Sequence, residues 1–288
     1  MSPQFWLIQA LNSVAMGGFL FLLAVGFSLI FGLLRVPNLA HGGFFMLGAY
    51  LGATVLDENL PFWLAALAGA AAVGLLGVVL ERLLLRRLAG NEQAQVLTTL
   101  GIAFIIADLC LMTWGGDPIS LAPPDFLSRA IAFGGFFFPA YRLAVLALAV
   151  IVAILVVLLM ERTRLGAMIR AGVDDREMAR GVGIPVSRLF TAVFFLGTAL
   201  AGLGGVIGGP ILSAYPGLDF DMLPLALIVV ILGGIGSIAG AFAGSMIVGF
   251  IYNFGIALFP SFAYVILFLP MIIALIVKPE GLFGRVPQ

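Results

Sequence analysis

The chain has 288 residues, of which 62% are hydrophobic and 10% are charged, and its formal net charge is zero. Soluble domains contain about 25% charged residues, so this composition excludes a soluble protein and predicts an integral membrane protein. Apolar runs long enough to cross about 30 Å of hydrocarbon recur along the chain, and we expect residues 1–288 to form one transmembrane domain.

Two residue types that often build functional sites are scarce. Cys110 is the only cysteine and His41 the only histidine. This excludes a disulfide framework and leaves too few ligands for a zinc site. We therefore expect no metal, no other cofactor and no nucleic-acid partner.

The first apolar run, residues 5–34, is long enough for one tilted helix or for two helices that divide near Gly17 and Gly18. It contains no Lys or Arg, so the positive segment of a cleavable signal peptide is missing and we expect the N-terminus to be retained. Further apolar runs follow at 38–56, 61–80, 95–114, 136–160, 189–212, 222–234, 239–259 and 262–277. The pattern predicts an all-α, polytopic membrane helix bundle with eight to ten spans.

Basic residues are distributed unevenly between the loops. One set of loops holds three clusters: Arg82, Arg86 and Arg87, then six arginines between 161 and 188, then Lys278 and Arg285. The opposite loops, 56–61, 115–142 and 214–221, hold only Arg129 and Arg142. Because cytoplasmic loops retain Lys and Arg, we place the three clusters and the C-terminus in the cytoplasm.

A polar break, "RVPNLAHGG", follows the first run. The residue before a proline is disfavoured in a helix, so Pro37 ends the preceding segment, and Asn38 is well suited to cap a new helix near Leu39. Arg35 is a possible buried polar residue: it either extends to the headgroups or takes part in function.

His41 falls in the first turn of the new helix, beside Gly42. Inside the membrane its imidazole needs a partner, either a neighbouring carbonyl or a permeating solute. A second break, "LGGIGSIAGA", contains Ser237 and resembles the first. Broken helices occur where the backbone is buried in protein or lines a water-filled path, and similar breaks in two halves indicate an internal pseudo-repeat.

Asp108 is the one carboxylate deep in a predicted span. An intramembrane acid is by default a functional hypothesis, so Asp108 is expected to be a buried polar residue, either a proton or cation site or half of a structural pair.

The longest cytoplasmic loop covers residues 161–188. Within it, "DDREMAR" places acidic residues early and arginine late, as the dipole of a short helix favours. Gly183, followed by Ile184 and Pro185, is expected to end that helix. A long loop with its own secondary structure usually makes a contact.

Several of these segments together resemble a known family. "RAGVDDREMARGVGI", with Glu177, Ala179 and Gly183 in an E-x-A-x-x-x-G arrangement, is similar to the coupling segment of ABC-importer permeases. "GLLRVPNLAHGGFFMLGAY", "ILGGIGSIAGAFAGSMIVG" and the tail "KPEGLFG" resemble the smaller permease subunit of branched-chain amino acid ABC importers. The resemblance covers nearly the whole chain, with its motifs in the expected order.

The resemblance implies a permease that carries branched-chain or related amino acids inward across the bacterial inner membrane by alternating access. Its implied partners are a related permease subunit in a heterodimer, two ATP-binding subunits and an extracytoplasmic solute-binding protein. The implied ATPase-coupling residues are Arg170, Ala171, Glu177, Ala179 and Gly183. The candidates for the translocation path are Asn38, His41, Gly42 and Ser237.

Enzyme chemistry is not expected of this chain. The only lysine, Lys278, is followed by Pro279, so the G-x-x-x-x-G-K-[ST] loop that holds nucleotide phosphates is missing. The sole histidine lies in a membrane break rather than beside a nucleophile. Two alternatives to the ABC permease remain, a stand-alone secondary transporter or channel with Asp108 as its coupling residue, and a scaffold that only anchors partners.

Overall fold

A computed structural model of the chain describes residues 3–34, 37–133, 136–278 and 280–284. The helices are α1 (Pro3–Leu34), α2 (His41–Asp57), α3 (Phe62–Leu83), α4 (Glu92–Trp114), α5 (Ala140–Arg162), α6 (Arg164–Asp174), α7 (Arg176–Gly181), α8 (Val186–Leu212), α9 (Leu218–Gly233), α10 (Ile238–Leu258) and α11 (Ala263–Val277). Two strands, β1 (Ala130–Phe133) and β2 (Phe136–Pro139), form one antiparallel hairpin. The hairpin is the exception to the all-α prediction, and it delays the start of α5 to Ala140.

The first apolar run forms one continuous helix of 32 residues, so the alternative with two shorter helices is wrong. Gly17 and Gly18 lie within α1 without interrupting it, and each faces a neighbouring helix. A Cβ at Gly17 would lie 3.0 Å from the α-carbon of Met246, and one at Gly18 would lie 2.9 Å from that of Leu146. Glycine thus lets α10 and α5 approach α1 closely, and α1 is the central, buried helix of the bundle.

Within the described residues, six helices are long and apolar enough to cross a membrane, namely α1, α3, α4, α5, α8 and α10. Three others, α2, α9 and α11, have only 17, 16 and 15 residues. The expected eight to ten spans are reached only if these shorter helices are counted with the six long ones. The bundle is therefore all-α and polytopic, with some helices that fall short of the about 20 residues of a full span.

The two halves of the bundle repeat a long, short, long order of helices, α1–α2–α3 and α8–α9–α10. α1 makes its most extensive contact with α10, and α8 makes its most extensive contact with α3. Each leading helix therefore packs on the third helix of the other half. This arrangement matches a pseudo-repeat in which α2 corresponds to α9. The similarity of the two breaks in the sequence predicts instead that α2 corresponds to α10, the helix that follows the second break.

The C-terminal tail closes the end of α9. The backbone N–H groups of Leu282 and Phe283 donate to the carbonyls of Leu232 and Gly233, at 2.9 and 3.0 Å. The last carbonyls of a helix have no partner within it, so the tail supplies the missing donors. This gives the "EGLFG" motif a structural role.

Candidate translocation and coupling sites

The first polar break leads into α2, which begins at His41 with Ala40 as its N-cap and no side-chain cap, so the prediction that Asn38 caps this helix is wrong. Asn38 is 1% exposed, and its side-chain oxygen accepts a hydrogen bond from the backbone N–H of Ala40, at 3.2 Å. Its backbone carbonyl accepts from the N–H of His41, at 3.1 Å. Asn38 therefore directs the chain into α2, while its side-chain nitrogen has no partner among the described residues.

His41 is fully buried between α1, α2 and α8. Its Nε2 lies 2.8 Å from the carbonyl oxygen of Leu23, which can only accept, so Nε2 carries the proton and donates. The ring meets Phe27 edge-on, with centroids 5.4 Å apart. The expected hydrogen bond to a carbonyl is thus present, and Nδ1 is a lone-pair acceptor with no partner in the described part of the chain.

Thr99, on α4, holds the extended part of the break and was not singled out from the sequence. Its hydroxyl oxygen accepts from the N–H of Leu39, at 3.2 Å, and lies 3.3 Å from the carbonyl oxygen of Pro37. The side chain is fully buried. The hydroxyl therefore gives the N–H of Leu39 an acceptor, while its own proton lies nearer the carbonyl of Val96, at 3.0 Å, than that of Pro37.

The first turns of α2 and α9 meet inside the bundle. A Cβ at Gly42 would lie 2.3 Å from the backbone carbonyl oxygen of Asp219, so only glycine fits there. Asp219 is 3% exposed. Its Oδ1 has no partner among the described residues. Both helices direct the positive ends of their dipoles towards this place, which suits an anion.

Asn38, His41 and Gly42, three of the four path candidates, therefore lie together, and the structure adds Asp219 to them. The fourth, Ser237, lies at the second break. Its hydroxyl accepts from the N–H of Gly240, at 3.0 Å, and caps α10. The preceding residue, Gly236, packs against α1 at Gly32, about 1.7 turns beyond the contact between His41 and Gly26. Ser237 is thus separate from the other three.

Asp108 is not buried within the chain, contrary to expectation. It lies on the exposed side of α4, whereas the side of α4 that faces the bundle carries Thr99, Ala103 and Cys110. A span is apolar on its lipid-facing side as well as inside, so the hydrophobic pattern does not reveal which way Asp108 points. Arg35 lies outside the described residues.

The predicted cytoplasmic helix is α7. The side chain of Asp175 caps it and accepts from the N–H groups of Glu177 and Met178, both at 2.9 Å. Gly183, with φ of 83°, adopts the left-handed conformation that ends such a helix, and its N–H donates to the carbonyl of Arg180. α6 precedes α7, and together they form a knob at the end of the bundle that carries the basic clusters.

The five candidate coupling residues occupy different environments in this knob. Arg170, on α6, donates to the carbonyl of Met160 at the end of α5. The backbone carbonyl of Ala171 accepts from the N–H of Asp175, the N-cap of α7. Ala179 is buried, whereas Glu177 and Gly183 are exposed. Arg170, Ala171 and Ala179 therefore support the knob, and Glu177 and Gly183 are available to a partner.

A polar network joins the base of α3 to the start of α8, beside the knob. Arg86 donates from Nε and Nη2 to the two carboxylate oxygens of Glu81, both at 3.1 Å, and from Nη2 to the hydroxyl of Thr191, at 2.5 Å. Thr191 in turn donates to Glu81, at 2.9 Å. Glu81 is 7% exposed, so this closed set of charge-assisted hydrogen bonds fixes α3 to α8. Sequence reasoning missed it, because Thr191 lies 105 residues from Arg86 and 110 from Glu81 along the chain.

A cavity of about 560 Å³ opens between this network and the knob. Glu81 and Arg86 line one side of it, and Asp175, Glu177 and Arg180 line the other. The network and the knob are therefore neighbours across a space, and a displacement of α7 would change the width of that space.

Comparison with known proteins identifies the family. A family described as "Branched-chain amino acid transport system / permease component" matches residues 9–275. The high-affinity branched-chain amino acid transport system permease protein LivH of Salmonella typhimurium is 28% identical over 305 residues, which cover 99% of this chain and 98% of LivH. BraD of Pseudomonas aeruginosa, a permease protein of the same description, is 25% identical over 295 residues, covering 97% of this chain and 96% of BraD.

A second type of permease protein is also similar. LivM of Salmonella typhimurium is 30% identical over 250 residues, which cover 75% of this chain and 56% of LivM. No solved structure matches the chain. The resemblance of the chain to this family is confirmed, and the multi-pass helix bundle fits it. The chain therefore belongs to the family of branched-chain amino acid transport system permease components, and it is a membrane transport permease rather than an enzyme.

Proposed function

We propose that this chain is the smaller permease subunit of an ABC importer that moves branched-chain or related amino acids into the cell. The observation that carries the proposal is the family match over residues 9–275, together with relatives that align over nearly their whole length. The chain has no nucleotide-binding loop, so two separate ATP-binding subunits supply the energy. An extracytoplasmic binding protein delivers the solute.

The proposed path passes the place where α2 and α9 begin. Asn38, His41 and Asp219 are buried there, and each retains a side-chain atom without a partner in the described residues. The positive ends of two short helices suit the carboxylate of an amino acid, and the free Oδ1 of Asp219 suits its ammonium group. Gly42 keeps the two helices in contact. Ser237 serves the same path at the second break.

The proposed coupling element is the knob formed by α6 and α7. Glu177 is exposed there beside Met178 and Val182, which are 66% and 70% exposed, so α7 presents a carboxylate and two apolar side chains to a partner. ATP-driven closure of the partner subunits moves α7. The hydrogen bonds of Arg86 then make α3 and α8 move together, which alternates access to the path.

The proposed membrane orientation follows from charge. The helix ends next to the knob carry Arg82, Arg86, Arg87, Arg162 and Lys278. Because cytoplasmic segments retain basic residues, this end and the C-terminus face the cytoplasm of a bacterial inner membrane. The similarity of the chain to both LivH and LivM supports a heterodimer with a related permease.

A stand-alone secondary transporter has less support. Its coupling acid would be Asp108, which lies on the exposed side of α4 and not in the buried contact between α2 and α9. The relatives are named as components of transport systems rather than as single-chain carriers.

One mutational experiment separates the two mechanisms. In proteoliposomes that contain the whole complex, we measure ATP-dependent uptake of radiolabelled leucine by Glu177→Ala, Asp108→Asn and the control Glu161→Ala, an exposed residue at the end of α5. We expect Glu177→Ala to lower uptake at least tenfold, as the loss of one charge-assisted contact allows, and Glu161→Ala to retain it. Asp108→Asn should retain most of it, because the asparagine side chain keeps an oxygen that accepts a hydrogen bond. Loss of uptake in Asp108→Asn with full uptake in Glu177→Ala would contradict the proposal.

A further inference from the structure

Asp108 carries a charge on an otherwise apolar, exposed surface of the bundle. It lies six residues before the end of α4, about 9 Å along the helix axis, and therefore within the hydrocarbon. Phe104, Ile105 and Met112 surround it on the same side of the helix and are 50%, 60% and 82% exposed. An aspartate side chain is too short to reach the headgroups as lysine and arginine do. A carboxylate left in lipid is costly, so this surface needs a cover.

No other exposed surface of the described spans carries a charged residue in its central turns. In the described part of the six long helices, Asp108 is the only Asp, Glu, Lys or Arg more than one turn from a helix end. The exposed sides of α3 and α5 carry apolar residues alone along their central turns, for example Leu75 and Leu155. Those surfaces suit lipid, whereas the side of α4 that carries Asp108 does not.

Gly101 gives a second, independent indication. A Cβ at Gly101 would meet no heavy atom of another element within 4 Å, whereas the other described glycines of the spanning helices all lie against a neighbour. Glycine within a helix lowers its stability, and the close approach of a neighbouring helix can offset that cost. In membranes, small residues let another helix come near. Gly101 lies two turns from Asp108 on the same side of α4, and its open position is suited to a helix of another chain.

The surface continues towards the proposed path. Phe104 of α4 lies next to Phe220 of α9, with ring centroids 5.7 Å apart, and Phe220 is 49% exposed. Phe220 follows Asp219, which meets Gly42 at the start of the path. A second chain seated on α4 would therefore lie beside the place where α2 and α9 begin.

We infer that the related permease subunit of the importer docks on this surface, defined by Gly101, Phe104, Ile105, Asp108 and Met112 of α4. The inference rests on the proposed function and names the contact face of its heterodimer. The subunit presents a basic side chain opposite Asp108. Charge complementarity selects this occupant, because lipid has no donor at that depth and a second copy of this chain has, among its described spans, no basic residue there.

Photo-crosslinking in membranes that contain all subunits tests the contact. We replace Ile105 by p-benzoylphenylalanine, and as controls we replace Leu75 on α3 and Leu155 on α5, because the three side chains are 60%, 61% and 59% exposed. We expect an adduct with the related permease from position 105 and none from positions 75 and 155. An adduct with lipid only or with a second copy of this chain at position 105, or an adduct with the related permease from the controls alone, would overturn the assignment.

A substitution gives opposite results under the two possible surroundings of Asp108. If Asp108 contacts the related permease, Asp108→Leu leaves a donor unpaired, and the amount of that permease recovered with the tagged chain falls about tenfold. If Asp108 faces lipid, the same change removes a charge from the hydrocarbon, and recovery is unchanged or higher. Gly101→Leu should act like Asp108→Leu, and Ala71→Leu, at an exposed position of α3, should have no effect.

The same preparations show whether the interface or the function is wrong. If the ATP-binding subunits and the related permease are recovered with the unaltered chain but position 105 gives no adduct with that permease, only the interface assignment fails. If neither is recovered with the unaltered chain, the ABC permease and its interface fail together.

Discussion

The α-carbon of Gly42 lies against the backbone carbonyl of Asp219, so that the first turns of α2 and α9 are in direct contact. Each of these short helices begins inside the bundle and belongs to one half of the pseudo-repeat. Their positive ends therefore come together beside His41 and Asn38, which are almost completely buried. This contact joins the two halves at the place where we propose that the solute passes.

Gly42→Ala is expected to separate α2 from α9. A Cβ there would lie 2.3 Å from the backbone of Asp219, which cannot rotate away, whereas a Cβ at Gly43 would lie at an ordinary 3.6 Å from Ala103 and Ile106. Overpacking of this kind lowers the free energy of unfolding by about 1–3 kcal/mol. The thermal unfolding midpoint of the purified protein should fall for Gly42→Ala and be retained for Gly43→Ala. Equal midpoints for the two variants would show that the contact is not tight.

Thr99→Val is expected to loosen the break before α2. The substitution keeps the shape of the side chain but leaves the N–H of Leu39 without its acceptor, which destabilises the segment by about 1–3 kcal/mol. Hydrogen exchange of a peptide that covers Leu39 should accelerate. Thr113→Val is the matched control on the same helix, because the hydroxyl of Thr113 bonds only to Leu109 of its own helix. Unchanged exchange in Thr99→Val would show that the hydrogen bond between Leu39 and Thr99 does not hold the break.

His41→Leu is expected to lower transport more than His41→Gln does. Both remove the imidazole, but glutamine keeps an N–H donor for the carbonyl of Leu23 and an oxygen in place of Nδ1, whereas leucine leaves the fully buried site without either. Uptake of radiolabelled leucine by the reconstituted complex measures the difference. If both variants are recovered in the complex and transport at the wild-type rate, the chain is acting as a scaffold at this position.

Some of this architecture could be predicted from the sequence because its causes are local. Pro37 disfavours a helical conformation of the residue before it, and the side chain of Asn38 bonds to the backbone two residues later. The helix in "DDREMAR" and its end at Gly183 follow from a cap and a glycine a few residues apart. The break before α2 and the helix α7 are confirmed, whereas the N-cap of α2 is Ala40 and not Asn38.

Other features depend on contacts between distant segments and carry no local pattern. The sequence predicts that Asp219 belongs to an outer loop, but α9 begins inside the bundle and buries it. The direction of Asp108 could not be predicted either, because both sides of a membrane helix are apolar. Thr99 was not recognised because a single threonine in a span has no distinguishing spacing.

Arg86→Gln is expected to uncouple α3 from α8 while the ATP-binding subunits remain bound. Glu81 would keep its burial but lose its charged partner, with a destabilisation of about 1–3 kcal/mol, since Arg86 is partly exposed. Uptake should fall, and the ATPase activity of the complex should no longer rise when loaded binding protein is added.

Two further variants control for the network. Arg82→Gln changes an exposed arginine near the same helix end and should leave uptake unchanged. The double variant Glu81→Gln/Arg86→Gln removes the buried charge and should recover part of the lost stability. If Arg82→Gln is as damaging as Arg86→Gln, the general charge of this end of the bundle matters rather than the network.

The identity of the chains that accompany this permease tests the central claim most directly. The tagged chain is purified from its native host in mild detergent, and the proteins recovered with it are identified by mass spectrometry. We expect subunits with the G-x-x-x-x-G-K-[ST] loop and a second, related permease. Recovery of this chain alone, under conditions that keep a control ABC complex intact, would contradict the account.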